Sequence, residues 1–223
     1  MDAKTTWQHR VSNWACGALT GAVGLVTGGV VMAGYRGLST NFLEASPLLF
    51  VATFIALDVI YYWQHRLEHA VPAMWAIHAV HHQSKLCDTS VSLRTSALAP
   101  LSVLLPHLVL AVVGVPFATY FAAYLLHTGL IFLLHSRTPR WMDRAGWFFN
   151  SPFVHRGHHS THPSLRGKNF GGVFVVWDRA FGTFEPRCEV ATEFGLANQP
   201  TPLNPFVANV APLLRLGVSQ RAR

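Results

Sequence analysis

PLLFVATFIALDVIYYWQHRLEHAVPAMWAIHAVHH, from Pro47 to His82, is the stretch whose reading decides the fold. Its first half, Pro47 to Trp63, is apolar except for Asp58. A helix crosses the bilayer hydrocarbon in ~20 residues, with ~17 at the short end. The run meets that lower limit and passes without a break into a polar helical extension. There the pattern changes to H-R-L-E-H, with His65 and His69, and then to H-A-V-H-H, with His78, His81 and His82. Histidines spaced i, i+3 and i+4 share one face of a helix, so each cluster can aim its imidazoles at one point. A third cluster, H-R-G-H-H, carries His155, His158 and His159. The eight imidazoles in these clusters exceed what one tetrahedral zinc can use. They suit two metals, and imidazole alone does not choose among Fe, Zn, Cu and Ni. Asp58 falls on nearly the same helix face as His65 and His69, one or two turns earlier. A carboxylate inside an apolar span is costly and needs a purpose. A hydrogen bond to a ligand histidine and a polar contact between helices are the two readings.

Working outward, the expected spans are about 11–33, 47–63, 97–115 and 116–134, the last two separated by the Gly114-Val115-Pro116 turn. The first is longer than the ~7–15 apolar residues of a signal sequence, so a retained anchor is expected. It carries Gly17, Gly21, Gly24 and Gly28, a spacing that permits close helix contact in lipid. Hydrophobic residues make up 51% of the 223 and charged residues only 12%, against about 25% charged in soluble domains. The formal charge of +7 is not gathered into a basic run with interleaved aromatics, which excludes a nucleic-acid groove and suits an anionic membrane surface. Cys16, Cys87 and Cys188 are scattered, with no C-x-x-C pair, so neither a disulfide framework nor a thiolate site is expected. With every histidine cluster on one side, only Arg36 of the 17 Lys and Arg residues falls on the other. The positive-inside rule then places the clusters and both termini in the cytoplasm. The expected organisation is one all-α membrane domain over 1–223, a four-helix bundle whose histidine-rich cap comes from 64–96 and 135–223.

The three clusters, their short first gap, N-F-G-G-V-F-V-V-W-D-R-A-F-G-T-F from Asn169 to Phe184, and the F-G-L…N-P-F tail at Phe194 and Asn204 together resemble the fatty acid hydroxylase and sterol desaturase superfamily. The resemblance covers roughly Asp58 to the C-terminus. It implies four membrane helices and a cytosolic cap holding two iron ions, with zinc able to replace iron in purified protein. It also implies one more ligand some 15 to 23 residues before the last cluster, a place that His135 fills. His127, two turns earlier, is read as a further ligand or a channel-lining group; some relatives pair histidines at i and i+4, but Ile131 stands here. His107 is read as packed or channel-lining, and His9 and His162 as surface residues. Asp178, in W-D-R-A-F-G-T, is expected to brace the cap or to support a ligand.

No side chain removes a hydrogen atom from an unactivated alkyl C–H bond, whereas reduced iron with O2 can. Hydroxylation or desaturation of a lipid is the reaction expected. No flavin, nicotinamide, haem or iron–sulfur motif is present, so electrons are expected from a separate transfer protein. Arg137, Arg140, Arg144, Arg156, Arg166 and Lys168 are candidates for its docking or for a lipid headgroup. A lipid tunnel is expected one or two turns below the ligands, around Ile60, Tyr124, His127 and Ile131. Two rivals remain at this point: a membrane zinc hydrolase reading H-R-L-E-H as H-x-x-E-H with Glu68 as base, and a non-catalytic metal carrier.

Overall fold

The computed structural model describes residues 1–136, 146–197 and 199–216. Every regular element among them is helical, beside two isolated bridges, Phe149 with Phe174 and Ser160 with Phe194. Helix α1 spans Ala3–Leu38, with the Asp2 side chain accepting from the Thr5 amide at its start. Helix α2 spans Pro47–Ala70, capped by Ser46 and opened by Pro47, whose missing N–H costs nothing at a first position. Val71 closes α2 and opens α3, Pro72–His82. Pro72 cannot continue the α2 ladder but can begin a new helix, so the chain breaks there. That one proline turns the second histidine cluster back toward the first.

The third span departs from expectation. Instead of one helix over 97–115, the chain forms α4 (Ala99–Leu104), a tight 3-10 turn (Leu105–His107) and α5 (Leu108–Val113). Pro106 lacks the amide that would carry the α ladder through, and the whole segment is about 22 Å at 1.5 Å per residue. Helix α6, Phe117–Leu133, is likewise shorter than its expected span. Among the described residues two helices, α1 and α2, are long and apolar enough to cross a membrane. Their outward faces are apolar: Leu25, Val26, Val30, Leu48 and Val51 are exposed, as are Leu125, Leu126 and Leu133 of α6.

Tyr35, Leu57, Leu110, Ala111, Val115, Tyr120 and Ala123 pack into one core, so α1, α2, α5 and α6 meet there. Tyr35 stacks on Tyr120 and donates to the Val115 carbonyl, and Leu43 N bonds Gly114 O, tying the two turns of this end together. Of the four glycines in the α1 stripe, Gly17 packs against Leu93, Gly24 against Pro100 and Gly28 against Leu104, whereas a Cβ at Gly21 would meet nothing within 4 Å. The opposite end is built by short elements: α7 (Pro152–His158), α8 (Val176–Ala180) and α9 (Pro205–Leu214). Arg94, wholly buried, ties this end together. It donates to Val80 O on α3, Ser12 and Asn13 on α1, Gln83, and Pro202 O before α9.

Candidate metal centre

The last turns of α2, α3, α6 and α7 converge at this end and bring nine histidines together. His65, His69, His78, His82 and His158 form one group, and His81, His135, His155 and His159 a second; within each, the ligand nitrogens lie within 4.8 Å of one another. Rings of the two groups touch, His82 stacking on His159 with centroids 4.4 Å apart.

Hydrogen bonds on the outer nitrogens set the tautomers. His65 Nδ1–H donates to Phe170 O (2.9 Å), His158 Nδ1–H to Lys168 O (2.9 Å) and His78 Nδ1–H to Glu68 Oε2 (2.9 Å). In the second group His81 Nδ1–H donates to Arg94 O (3.0 Å). The Ser92 hydroxyl donates to Phe132 O, so its oxygen must accept from His135 Nδ1–H (2.9 Å). A neutral ring that spends its one N–H outward in this way leaves a bare Nε2 lone pair facing inward. Yet the inward nitrogens approach closely: His65 to His78 at 3.2 Å and His81 to His135 at 3.2 Å. Two bare lone pairs repel. Nitrogens about 2.0–2.1 Å from a shared ion lie roughly 3.0 Å apart at right angles and about 3.4 Å apart tetrahedrally. The spacing therefore fits cations, as does His69 Nε2, which is buried with no hydrogen-bond partner among the described residues. Burial, with charge repulsion from His78, depresses His81 to about 3; burial likewise depresses His158 to about 3 and holds His82, His135, His155 and His159 well below the ordinary range. Neutral imidazole is the form that binds metal.

The Asn169–Phe184 motif acquires a physical meaning here. Asn169 sits at φ 61°, a left-handed conformation that asparagine tolerates, and it is pinned by bonds between its side chain and Glu185. The residues on either side of it, Lys168 and Phe170, supply the carbonyls that orient His158 and His65. Asp178 braces this loop by accepting from Phe170 N, Gly171 N and Thr183 Oγ1. Asp58 accepts from Val173 N, Phe174 N, Trp177 Nε1 and His127 Nε2. The loop passes so close that a Cβ at Gly172 would lie 2.5 Å from Asp58 Oδ1, and one at Gly171 would lie 2.7 Å from Asp178 Oδ2.

For Asp58 and His127 the geometry agrees with the second of the two readings left open for each. Asp58 bonds none of the nine histidines; as a contact between elements it holds the loop that holds His65. His127 joins neither group, because its Nε2 is committed to Asp58 at 2.8 Å. Among the remaining histidines, His107 bonds Tyr120, His162 is exposed, and His9 is buried rather than on the surface. Arg137, Arg140 and Arg144 lie outside the described residues. Arg156 packs over the Phe194 ring and Lys168 bonds Gly182 O. Ser92 and the carbonyls behind the ligands escaped sequence reasoning, since a serine and a backbone oxygen carry no metal signature.

A cavity of about 540 Å³ reaches the histidines. His65 and His78 of the first group and His81 and His135 of the second line its inner end, and it extends between α1, α4 and α6. Tyr124, His127 and Ile131 line it as expected. Ile60 does not; it packs against the core around Tyr35 and Leu57, on another face of α2.

Residues 50–183 match the family model for fatty acid hydroxylase. The chain belongs to the fatty acid hydroxylase family. An alkylglycerol monooxygenase of Xenopus tropicalis is 31% identical over 196 residues, covering 82% of this chain and 42% of that protein. The alkylglycerol monooxygenase of Homo sapiens is 33% identical over 170 residues, covering 72% of this chain and 35% of that protein. An ornithine lipid hydroxylase of Rhizobium tropici is 26% identical over 140 residues, covering 62% of this chain and 42% of that protein. The chain thus spans less than half the length of these family relatives. No solved structure matches it.

Proposed function

We propose that this family member is an integral membrane oxygenase that hydroxylates or desaturates an alkyl carbon of a lipid, using O2 and two electrons from a separate donor protein. One observation carries the reading: two buried groups of lone-pair-bearing histidines adjoin, and one largely apolar cavity runs to both. His65, His69, His78, His82 and His158 would hold one iron, and His81, His135, His155 and His159 the other, with zinc able to substitute. Bound iron supplies the O2 activation that protein side chains lack. The chain's own part is to keep nine imidazoles aimed, to exclude bulk water by burial, and to lay an alkyl chain along Tyr124 and Ile131. That the relatives named above are lipid hydroxylases and monooxygenases supports a lipid substrate.

The four apolar segments are proposed to lie in the bilayer, with the histidine end and both termini on the cytoplasmic side. The exposed apolar faces of α1, α2 and α6 support this placement. A lipid reaching the site through water would lose about 0.8 kcal/mol per exposed methylene, so access from the bilayer between α1 and α6 is part of the reading. The hydrolase reading of H-R-L-E-H is disfavoured, because the Glu68 carboxylate is occupied by His78, Gln64 and Ser102. The carrier reading is disfavoured because the ligands gather at one end instead of lining a path.

Lipid mass spectrometry of cells carrying the wild-type chain or a His135→Ala chain tests the proposal. A wild-type lipid shifted by one added oxygen or two lost hydrogens is expected, with close to two metals per purified chain. Full activity with one metal across preparations would overturn the dinuclear assignment. An unchanged lipidome in both cells, with both metals bound in the wild type, would overturn the oxygenase.

A further inference from the structure

Pro106 breaks the third apolar segment into α4 and α5, and the 3-10 turn between them, Leu105–His107, sets an imidazole among apolar residues. His107 is 4% exposed and lines the cavity together with Leu25, Val103 and Leu104. Its Nδ1 lies 3.1 Å from the Tyr120 hydroxyl. That bond fixes the ring's orientation, since turning the ring over would put a carbon in its place. It also fixes the tautomer. Tyr120 is wholly buried and its hydroxyl has no other partner among the described residues, so the phenol proton goes to Nδ1. The ring's own N–H is then on Nε2. No described residue accepts from Nε2, and unlike the sealed Gln64 Oε1 it is open to the cavity. A donor in an apolar wall with nothing to donate to is costly, and native structures rarely keep one.

We propose that His107 determines substrate specificity: its Nε2–H donates a hydrogen bond to a carbonyl oxygen within the lipid's alkyl chain, well away from the carbon that is oxidised. The His107 ring packs edge-on against Tyr124, with centroids 5.6 Å apart. Tyr124 precedes Leu133, the last residue of α6, by two and a half turns, about 13 Å at 1.5 Å per residue. An extended chain advances roughly 1.2 Å per bond, which puts the carbonyl about ten bonds from the metal end of the cavity. The lipid taken is then one whose tail is interrupted by a carbonyl, and a plain alkyl tail leaves Nε2–H unmatched. The inference rests on the oxygenase reading for the reaction but not for the binding.

The test uses the full chain, metal-loaded in detergent, with hexadecylglycerol ethers that carry a ketone walked along the hexadecyl chain. Each ketone is paired with its methylidene analogue, in which C=CH2 replaces C=O and keeps the shape without the acceptor. Equilibrium binding is measured separately from O2-dependent product. Wild type should bind at least one mid-chain ketone about tenfold more tightly than its methylidene partner. In His107→Phe, which keeps a flat ring, that preference should collapse toward one; metal content and a monodisperse elution check that the variant has folded. Infrared spectroscopy of wild type needs no substitution: the isotope-labelled carbonyl of the preferred ketone should absorb at lower frequency when bound than in detergent alone. The proposal is overturned if no ketone outbinds its partner, if folded His107→Phe keeps the preference, or if the bound carbonyl does not shift. Preferential binding without oxidation of any lipid would overturn the oxygenase reading and leave His107 standing. Oxidation without preference would do the reverse.

Discussion

Ser92→Ala should loosen one metal and spare the other. The Ser92 hydroxyl spends its proton on Phe132 O and accepts from His135 Nδ1–H at 2.9 Å, which keeps His135 Nε2 bare and aimed at His81 and His159. Alanine removes that acceptor, so His135 can rotate or change tautomer. Removing such an outer partner of a ligand histidine typically weakens metal binding 10–100-fold, about 1.4–2.8 kcal/mol. The first group is oriented by Phe170 O, Lys168 O and Glu68, none of which Ser92 touches. Purified wild type and Ser92→Ala would be dialysed against graded chelator and their metal content counted. Wild type should lose both ions late. The variant should fall to about one ion per chain at 10–100-fold lower chelator strength, with Ser92→Thr restoring the wild-type curve. If Ser92→Ala releases both ions together, or neither early, the assignment of two separately supported groups is wrong.

Glu68→Gln should reduce metal retention in the first group by tens of fold while leaving measurable oxidation, because the amide oxygen can still accept from His78. Complete inactivation with both metals retained would favour Glu68 as a hydrolytic base. Ile131→Trp fills the cavity near its metal end without touching a ligand, so preferred chain length or oxidised position should shift at constant metal content; unchanged selectivity would rule out this cavity as the lipid path. In a cysteine-free background, Arg36→Cys and the exposed Lys85→Cys should react with an impermeant thiol reagent from opposite sides of the membrane. Labelling from the same side would break the proposed topology. Lowering pH should destabilise the metal-free chain. The folded-state values of His81 and His158 are depressed to about 3, so their unfolded forms take up protons first as pH falls below about 6.5, and stability should decline progressively toward pH 3. A flat unfolding midpoint from pH 7 to 4 would contradict that burial.

What the sequence determined by itself was chemistry carried by periodicity. Helical spacing places His78 with His82, and His155 with His159, on one face wherever the helices go, and long apolar runs declare α1 and α2 in any setting. The same local logic located the Gly114 turn and the small-residue face of α1. Tertiary structure alone decided how the histidines are shared out. The neighbours His81 and His82 serve different groups because adjacent residues on a helix point about 100° apart, and only the placement of α7 and the end of α6 shows which partner each meets. It also decided that Asp58 clamps the 173–174 amides rather than a ligand, that His127 is spoken for, and that Ile60 faces the core. Sequence spacing placed Asp58 and His127 on suitable faces but could not reveal a loop more than a hundred residues away arriving to occupy one of them. The oxygens that orient the ligands, on Phe170, Lys168, Arg94 and Ser92, were invisible for the same reason. A backbone carbonyl is identical at every residue, and only the folded chain says which one lies 2.9 Å from an imidazole.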